Sequence, residues 1–206
     1  MKKIYLYLTA VILILAAGLS VTGCDDSNSA GGSTEIAVTH FFPAKVFEGQ
    51  EVQISGTRLN EATAVVFPDG KSVTALKKTG TGLITVTTPA GVTSGILSVQ
   101  AGGNTVSSNV QLTVGNPRIK ALMPENQARI GQELIITGFD MEFYTKIKFP
   151  GKTGDIVVNS TEFNRKSSDF IYVKVPAGIA IGPTRIKLVV TSGREDLLPE
   201  INLVEQ

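Results

Sequence analysis

Apolar and polar residues alternate with a period of two along most of the chain after residue 34. The clearest examples are Val110, Leu112 and Val114, then Ile171, Val173 and Val175, then Ile186, Leu188 and Val190. This period places one face of a strand on a core and the other in water. Turn residues separate these short strands about every 8–12 residues, and no sustained helical period follows Cys24. The sequence therefore predicts an all-β sandwich fold.

The predicted strands belong to two copies of one module. The octet GQEVQISG at 49–56 recurs as GQELIITG at 131–138, and each copy then has a strand ending in Phe-Pro, at 67–68 and 149–150. The period of roughly 80–90 residues makes each copy a whole small domain. We expect these domains at 35–115 and 116–206. The glycines that bracket the octets are expected to need positive φ for tight turns.

The N-terminus reads as a secretory leader. Met1-Lys2-Lys3 is followed by an apolar run over 4–21, which is also long enough for a membrane-spanning helix. Small residues before Cys24 resemble the lipobox of bacterial lipoproteins. That resemblance implies a signal peptide at 1–23 and a lipid on Cys24. An uncleaved anchor helix or a chance cysteine are the alternatives.

The residues after Cys24 bear on localisation. The polar, Gly/Ser-rich stretch at 25–34 predicts a flexible tether. Asp25-Asp26 resembles the surface-export signal of some Gram-negative gut anaerobes, although an aspartate there also resembles an inner-membrane retention signal of enteric bacteria. We expect a lipid anchor in the outer membrane, with the domains exposed on the cell surface.

Charge and composition exclude several functions. Removing Lys2 and Lys3 from the 19 basic residues leaves 17 against 18 acidic ones, which argues against a nucleic-acid partner. His40 is the sole histidine and Cys24 the sole cysteine, so a multi-His metal site and an intrachain disulfide are excluded. Gly70-Lys71-Ser72 lacks the first glycine of a phosphate-binding loop. We expect no catalytic residue, no metal and no cofactor.

The order of Pro, the glycine-bracketed octet, Phe-Pro and a Val-rich strand ending in Pro resembles the IPT/TIG immunoglobulin-like domain. The resemblance covers both repeats and implies that Leu59 and Met141 plug the two cores. Tandem copies behind a lipid anchor also resemble the N-terminal region of surface glycan-binding lipoproteins of polysaccharide-utilisation systems. In such proteins these modules act as a stalk. The part that would bind glycan there is expected to be missing from this chain, which stops at Gln206.

One loop is a candidate contact with a ligand or partner. Phe139, Phe143 and Tyr144 cluster around Met141, whereas the first repeat has Thr57-Arg58-Leu59-Asn60-Glu61-Ala62 at the matching place. These rings either pack against their own sandwich or the domain junction, or they contact a ligand such as a sugar. The leading expectation is a non-catalytic surface spacer and interaction unit in polysaccharide uptake or adhesion. Its partner is a surface protein or a polysaccharide. The alternative is a carbohydrate-binding protein that uses this loop.

Runs of charged residues elsewhere are expected to be solvated. They include the loop acids Asp140 and Glu142, the pair Arg165-Lys166, and Arg194-Glu195-Asp196, which we expect at a hairpin tip. The linker Val114-Gly115-Asn116-Pro117 is short, and Pro117 limits its freedom. We expect it to hold the domains end to end with limited bending.

Overall fold

A computed structural model of the protein describes residues 35–205. The expected signal peptide, Cys24 and tether lie in 1–34, outside the described residues. None of the helices within 35–205 is long and apolar enough to cross a membrane.

The first half of the described chain forms two facing sheets. One sheet has the strand order β1-β3-β7-β6 and the other the order β2-β9-β8-β4-β5. The strands are β1 (Ala37–Phe42), β2 (Lys45–Val46), β3 (Glu51–Thr57), β4 (Ala62–Val66), β5 (Ser72–Val73), β6 (Lys77–Thr79), β7 (Leu83–Thr87), β8 (Gly95–Ala101) and β9 (Asn104–Val114). A 3₁₀ turn at Leu59–Glu61 precedes β4.

The second half repeats this plan. One sheet has the order β10-β12-β16-β15, and two smaller sheets, β14-β13-β18-β19 and β11-β20-β17, form the other layer. The strands are β10 (Arg118–Met123), β11 (Gln127–Arg129), β12 (Glu133–Phe139), β13 (Tyr144–Pro150), β14 (Asp155–Asn159), β15 (Arg165–Lys166), β16 (Phe170–Lys174), β17 (Gly182–Thr184), β18 (Lys187–Val190), β19 (Glu195–Leu197) and β20 (Ile201–Val204). 3₁₀ turns lie at Met141–Phe143 and Ser160–Glu162.

The two sandwiches differ in one layer. In the first it is the single sheet β2-β9-β8-β4-β5, whereas in the second the corresponding layer is divided into two sheets. The single strand β9 corresponds to the two strands β19 and β20, which are separated at Leu198–Glu200. Pro199 lies in this break, and a proline has no N–H to donate to a ladder.

Each sandwich encloses its own hydrophobic core, and all residues of both cores lie between Val38 and Leu203. The predicted all-β fold is confirmed. The alternation is confirmed at Ile171, Val173 and Val175, which are all buried. It fails at Val110, which is exposed within the irregular part of the β8–β9 register, between Ser107 and Gln111.

The repeated glycines serve two purposes. Gly49 and Gly131 have φ of 80° and 81°, as expected. Gly56 does not adopt positive φ, and the expectation was wrong for it and for Gly138. A Cβ at Gly56 would lie 1.9 Å from the Ala37 carbonyl oxygen, and one at Gly138 would lie 2.1 Å from the Arg118 carbonyl oxygen. Close approach of the neighbouring strand, rather than turn geometry, requires glycine there.

Leu59 and Met141 are fully buried in the two cores. Each follows a residue in the left-handed region, Arg58 with φ 55° and Asp140 with φ 54°. The chain therefore turns in the same way in both repeats to drive an apolar side chain inward.

Candidate functional site at the sandwich junction

The junction between the two sandwiches is held by a lysine that bridges two carboxylates. The Lys45 Nζ in β2 donates to Asp140 Oδ1 at 2.5 Å and to Glu142 Oε1 at 2.7 Å. The other oxygen of Asp140 accepts from the backbone N–H of Asn116 at 2.6 Å. One carboxylate of the second sandwich is thus bonded to both the first sandwich and the linker.

Electrostatics reinforce this bridge. Partial burial disfavours the charged forms of Lys45 and Asp140. Their mutual hydrogen bond, together with Glu142 beside Lys45 and the Asn116 N–H beside Asp140, outweighs this effect. The pKa of Lys45 is raised above its ordinary value and the pKa of Asp140 is lowered. Glu142 Oε2 is buried without a hydrogen-bond partner among the described residues. The expectation that Asp140 and Glu142 are solvated loop acids was wrong, because both face Lys45.

An aromatic contact lies beside the bridge. Phe47 comes from the first sandwich, yet it packs within the core of the second. Its ring centroid is 5.6 Å from that of Phe143. Gly115 makes room for this packing, since a Cβ there would lie 2.1 Å from Phe143 Cε2. The first sandwich therefore supplies a core residue to the second.

The hairpin between β18 and β19 completes the junction. The Arg194 guanidinium lies 5.2 Å from the Phe47 ring centroid and pairs with Asp196 at 3.0 Å. The Ser192 hydroxyl donates to Glu48 Oε1 at 2.7 Å. The run 194–196 is therefore more than the solvated hairpin tip that its sequence suggested.

Two further polar groups are partly buried beside the loop. The Tyr144 hydroxyl donates to Asp196 Oδ2 at 2.7 Å, and burial, together with that hydrogen bond, raises the pKa of Tyr144. The Lys166 Nζ donates to the Tyr144 carbonyl oxygen at 2.6 Å, and burial lowers the pKa of Lys166. Lys166 is thus half-buried rather than solvated as expected.

The three candidate contact residues do not form one surface. Phe139 is 51% exposed, with the Arg118 guanidinium 5.1 Å from its ring centroid, whereas Phe143 is 3% exposed and Tyr144 is fully buried. The sugar-stacking alternative needs an open ring face, and burial removes it at Phe143 and Tyr144. A ligand or partner contact at Phe139 stays a prediction.

Other residues considered from the sequence lie apart from the junction. His40 is exposed on β1. Lys71 pairs with Asp69 at 2.6 Å in the turn after the Phe-Pro strand, and its Nζ donates to the Gly91 carbonyl oxygen. No cluster of His, Cys, Asp or Glu suited to a metal ion is found within 35–205.

Sequence reasoning missed Lys45 and Phe47, although a signal for them was present. Aligning the repeats on Gly49 and Gly131 sets Lys45 against Gln127 and Phe47 against Arg129. The same alignment sets Asp140 against Arg58 and Phe143 against Glu61. The junction is therefore built from positions where the two copies differ in chemistry.

Comparisons with known proteins give structural neighbours only. No protein-family model matches the chain, and no curated protein matches it. Among solved structures, the chain is similar to the surface glycan-binding protein SGBP-B of a mixed-linkage glucan utilization locus of Bacteroides ovatus, in complex with a mixed-linkage heptasaccharide. The identity is 19% and the TM-score 0.35, over 80% of this chain and 43% of that one.

Two further neighbours are of the same kind. One is SGBP-B from a complex xyloglucan utilization locus in Bacteroides uniformis, with 17% identity and a TM-score of 0.37 over 80% of this chain and 48% of that chain. The other is a surface glycan-binding protein from Prevotella bryantii, with 16% identity and a TM-score of 0.36 over 82% and 42%. The chain spans less than half the length of each of the three.

Proposed function

We propose that this protein is a non-catalytic spacer and interaction unit, held on the cell surface by a lipid on Cys24. The observation that carries the proposal is the junction, where Phe47 of the first sandwich completes the core of the second. A spacer must keep its far end at a fixed distance, and domains joined by a linker alone swivel freely. A shared core residue opposes that motion.

The linker supports the same function. Only residues 115–117 separate β9 from β10. The Gly115 N–H donates to the Val46 carbonyl oxygen at 2.8 Å, and the Asn116 N–H is bonded to Asp140. Consecutive linker residues are thereby bonded to different sandwiches, Gly115 to the first and Asn116 to the second.

The proposed setting is the outer membrane of a Gram-negative bacterium, in polysaccharide uptake or adhesion. The lipobox-like sequence before Cys24 and the Asp25-Asp26 pair support anchoring and surface display. A tether of ten residues would span roughly 17–19 Å as a flexible chain. The sequence resemblance to the stalk of surface glycan-binding lipoproteins supports the uptake role.

Spin-label distances test the stiff junction. A soluble form without residues 1–34 has no cysteine, so Gln100→Cys on β8 and Val157→Cys on β14 can be labelled selectively. We expect a narrow distance distribution that Phe47→Ala broadens. A broad distribution in the unaltered junction contradicts the spacer function.

Two cellular measurements test the anchor and its location. Metabolic labelling with a fatty acid should mark the wild-type chain and leave Cys24→Ala unlabelled. Protease added to intact cells should digest the wild-type domains while a periplasmic marker survives. Survival of the domains under these conditions would place them inside the outer membrane.

A further inference from the structure

The outward face of the sheet β10-β12-β16-β15 carries a row of apolar side chains. The register aligns Met123 with Ile135, Ile135 with Tyr172, and Tyr172 with Arg165, one residue on each strand. Phe170 lies two residues from Tyr172, on the same face. Together these residues form the aromatic row: Met123, Ile135, Tyr172, Arg165 and Phe170.

The second core does not account for these side chains. Their neighbours in the sequence, Leu134, Ile136, Ile171 and Val173, are the ones that are buried. Ile135, Phe170 and Tyr172 are partly exposed, and Met123 is 47% exposed. The strands β12 and β16 therefore carry apolar side chains on both faces, although only one face packs in the core.

The rings of the aromatic row are ordered by one another. The centroids of Phe170 and Tyr172 are 5.0 Å apart with an interplanar angle of 79°, and the Arg165 guanidinium lies 5.9 Å from the Tyr172 centroid. Polar groups border the rings: Glu133 pairs across the ladder with Lys174, and its carboxylate accepts from Asn164 Nδ2 at 2.6 Å. Such edge-to-face packing holds aromatic side chains in place before a ligand arrives.

The first sandwich shows that the fold does not require this row. The equivalent register aligns Phe42 with Gln53, Gln53 with Thr85, and Thr85 with Lys77. Only Phe42 is apolar in that line. The aromatic row is therefore a property of the second sandwich alone.

The length of the aromatic row limits the kind of ligand that it can bind. Four strands span three spacings of about 4.8 Å, so the row is about 14 Å long. A stable protein interface, including a dimer of this chain, buries about 800 Å² on each partner, several times what such a row offers. A narrow ligand with an apolar face and polar edges fits better. The C–H face of a sugar ring packs on an aromatic ring, and its hydroxyls can bond to Glu133, Asn164 and Lys174.

We propose that the aromatic row binds a short stretch of a neutral polysaccharide on the outward face of the second sandwich. At its border Glu133 stands opposite Lys174 in the register, so charges of both signs lie beside the row and neither sign alone selects an ionic ligand. This site does not include Phe143 and Tyr144, which are buried in the second core. It also goes beyond the spacer function, which requires no ligand of its own.

Titrations followed by amide chemical shifts test the site. The probes are cellohexaose, xyloglucan heptasaccharide, mannohexaose and maltohexaose, each added to the soluble form without residues 1–34, which contains both complete cores. At least one probe should bind, with shifts concentrated on β12, β15 and β16. Absence of binding by all four, or shifts confined to other strands, overturns the proposal.

Variants identify the rings responsible. Tyr172→Ala should weaken binding by about tenfold, as expected for the loss of one stacked ring, and Tyr172→Phe should retain it. Gln53→Ala, at the position of Ile135 in the first sandwich, is the matched control and should bind like the wild type. Equal binding by folded Tyr172→Ala and wild type overturns the proposal. So does a protein that sediments as a dimer and becomes a monomer on Tyr172→Ala, since the occupant is then a second copy.

Discussion

At the scale of single residues, Tyr144 and Asp196 form a partly buried hydrogen-bonded pair beside the junction. Tyr144→Phe removes the hydroxyl that donates to Asp196 Oδ2 and keeps the ring. We expect a loss of about 1–2 kcal/mol in the free energy of unfolding, measured by chemical denaturation. Tyr172→Phe is the control and should change stability by less than about 0.5 kcal/mol.

The pH dependence of this effect has a definite sign. Burial raises the pKa of Tyr144 in the folded protein. Above about pH 10, the ordinary pKa of tyrosine, the unfolded chain loses the proton while the folded chain keeps it. The stabilising contribution is therefore complete below that pH and declines as the pH rises through the folded pKa. The difference in stability between wild type and Tyr144→Phe should shrink above about pH 10. A constant difference would contradict this assignment.

Gly115 is a single-residue probe of the packing around Phe143. Gly115→Ala places a Cβ within 2.1 Å of the Phe143 ring, so we expect a loss of about 1–3 kcal/mol in stability. The same change in a Phe143→Ala background should cost far less, because the clashing ring is gone. Additive losses in this double-mutant cycle would show that the ring is not the cause.

At the scale of elements, β2 and the 3₁₀ turn at Met141–Phe143 meet through Lys45. Lys45→Met should change the free energy of unfolding by only about 1 kcal/mol, because the ion pair is partly solvated. It should nevertheless broaden the spin-label distance distribution between the sandwiches.

Lys71→Met is the control for Lys45. Its ion pair with Asp69 is as short as that of Lys45, but it lies within the first sandwich. The distance distribution should keep its wild-type width in Lys71→Met. Broadening by both variants, or by neither, would count against a bridging role for Lys45.

Strands and cores follow from local pattern, whereas the junction does not. Alternation alone predicts that Ile171 and Val173 are buried. The burial of Leu59 and Met141 is predicted from their equivalent positions in the two repeats. Lys45 contacts Asp140, and Phe47 contacts Phe143, although each pair is far apart in the sequence. The period of apolar residues within a strand does not predict such contacts. The sequence left open whether Phe143 and Tyr144 pack or contact a ligand, because the packing of Phe143 depends on Gly115 and Phe47, which lie in other parts of the chain. The sequence did not indicate the aromatic row, because Ile135 and Tyr172 stand between apolar residues that are buried, and the outward face cannot be told from the buried one there.

At the scale of the whole molecule, the two sandwiches depend on each other unequally. The second core includes Phe47 from the first half, whereas the first core is drawn from residues up to Leu112, with Val114 packed against it. A fragment of residues 116–206 should therefore be less stable than the same sandwich in the longer chain. The expected loss is about 2–3 kcal/mol, the value of one buried phenylalanine.

Hydrogen exchange measures this inequality directly. The amides of β16 should lose protection in the fragment 116–206, relative to the soluble form with both sandwiches. The amides of β3 should lose less in the fragment 35–115. Equal losses in the two fragments would mean that the sandwiches support each other symmetrically.

Because of Phe47, the order of the two modules along the chain also matters. If the order of the two copies were exchanged, Arg129 would take the place of Phe47 at the junction, and Glu61 would take the place of Phe143. The two modules are thus not equivalent halves, because neither carries the residues that the other brings to the junction.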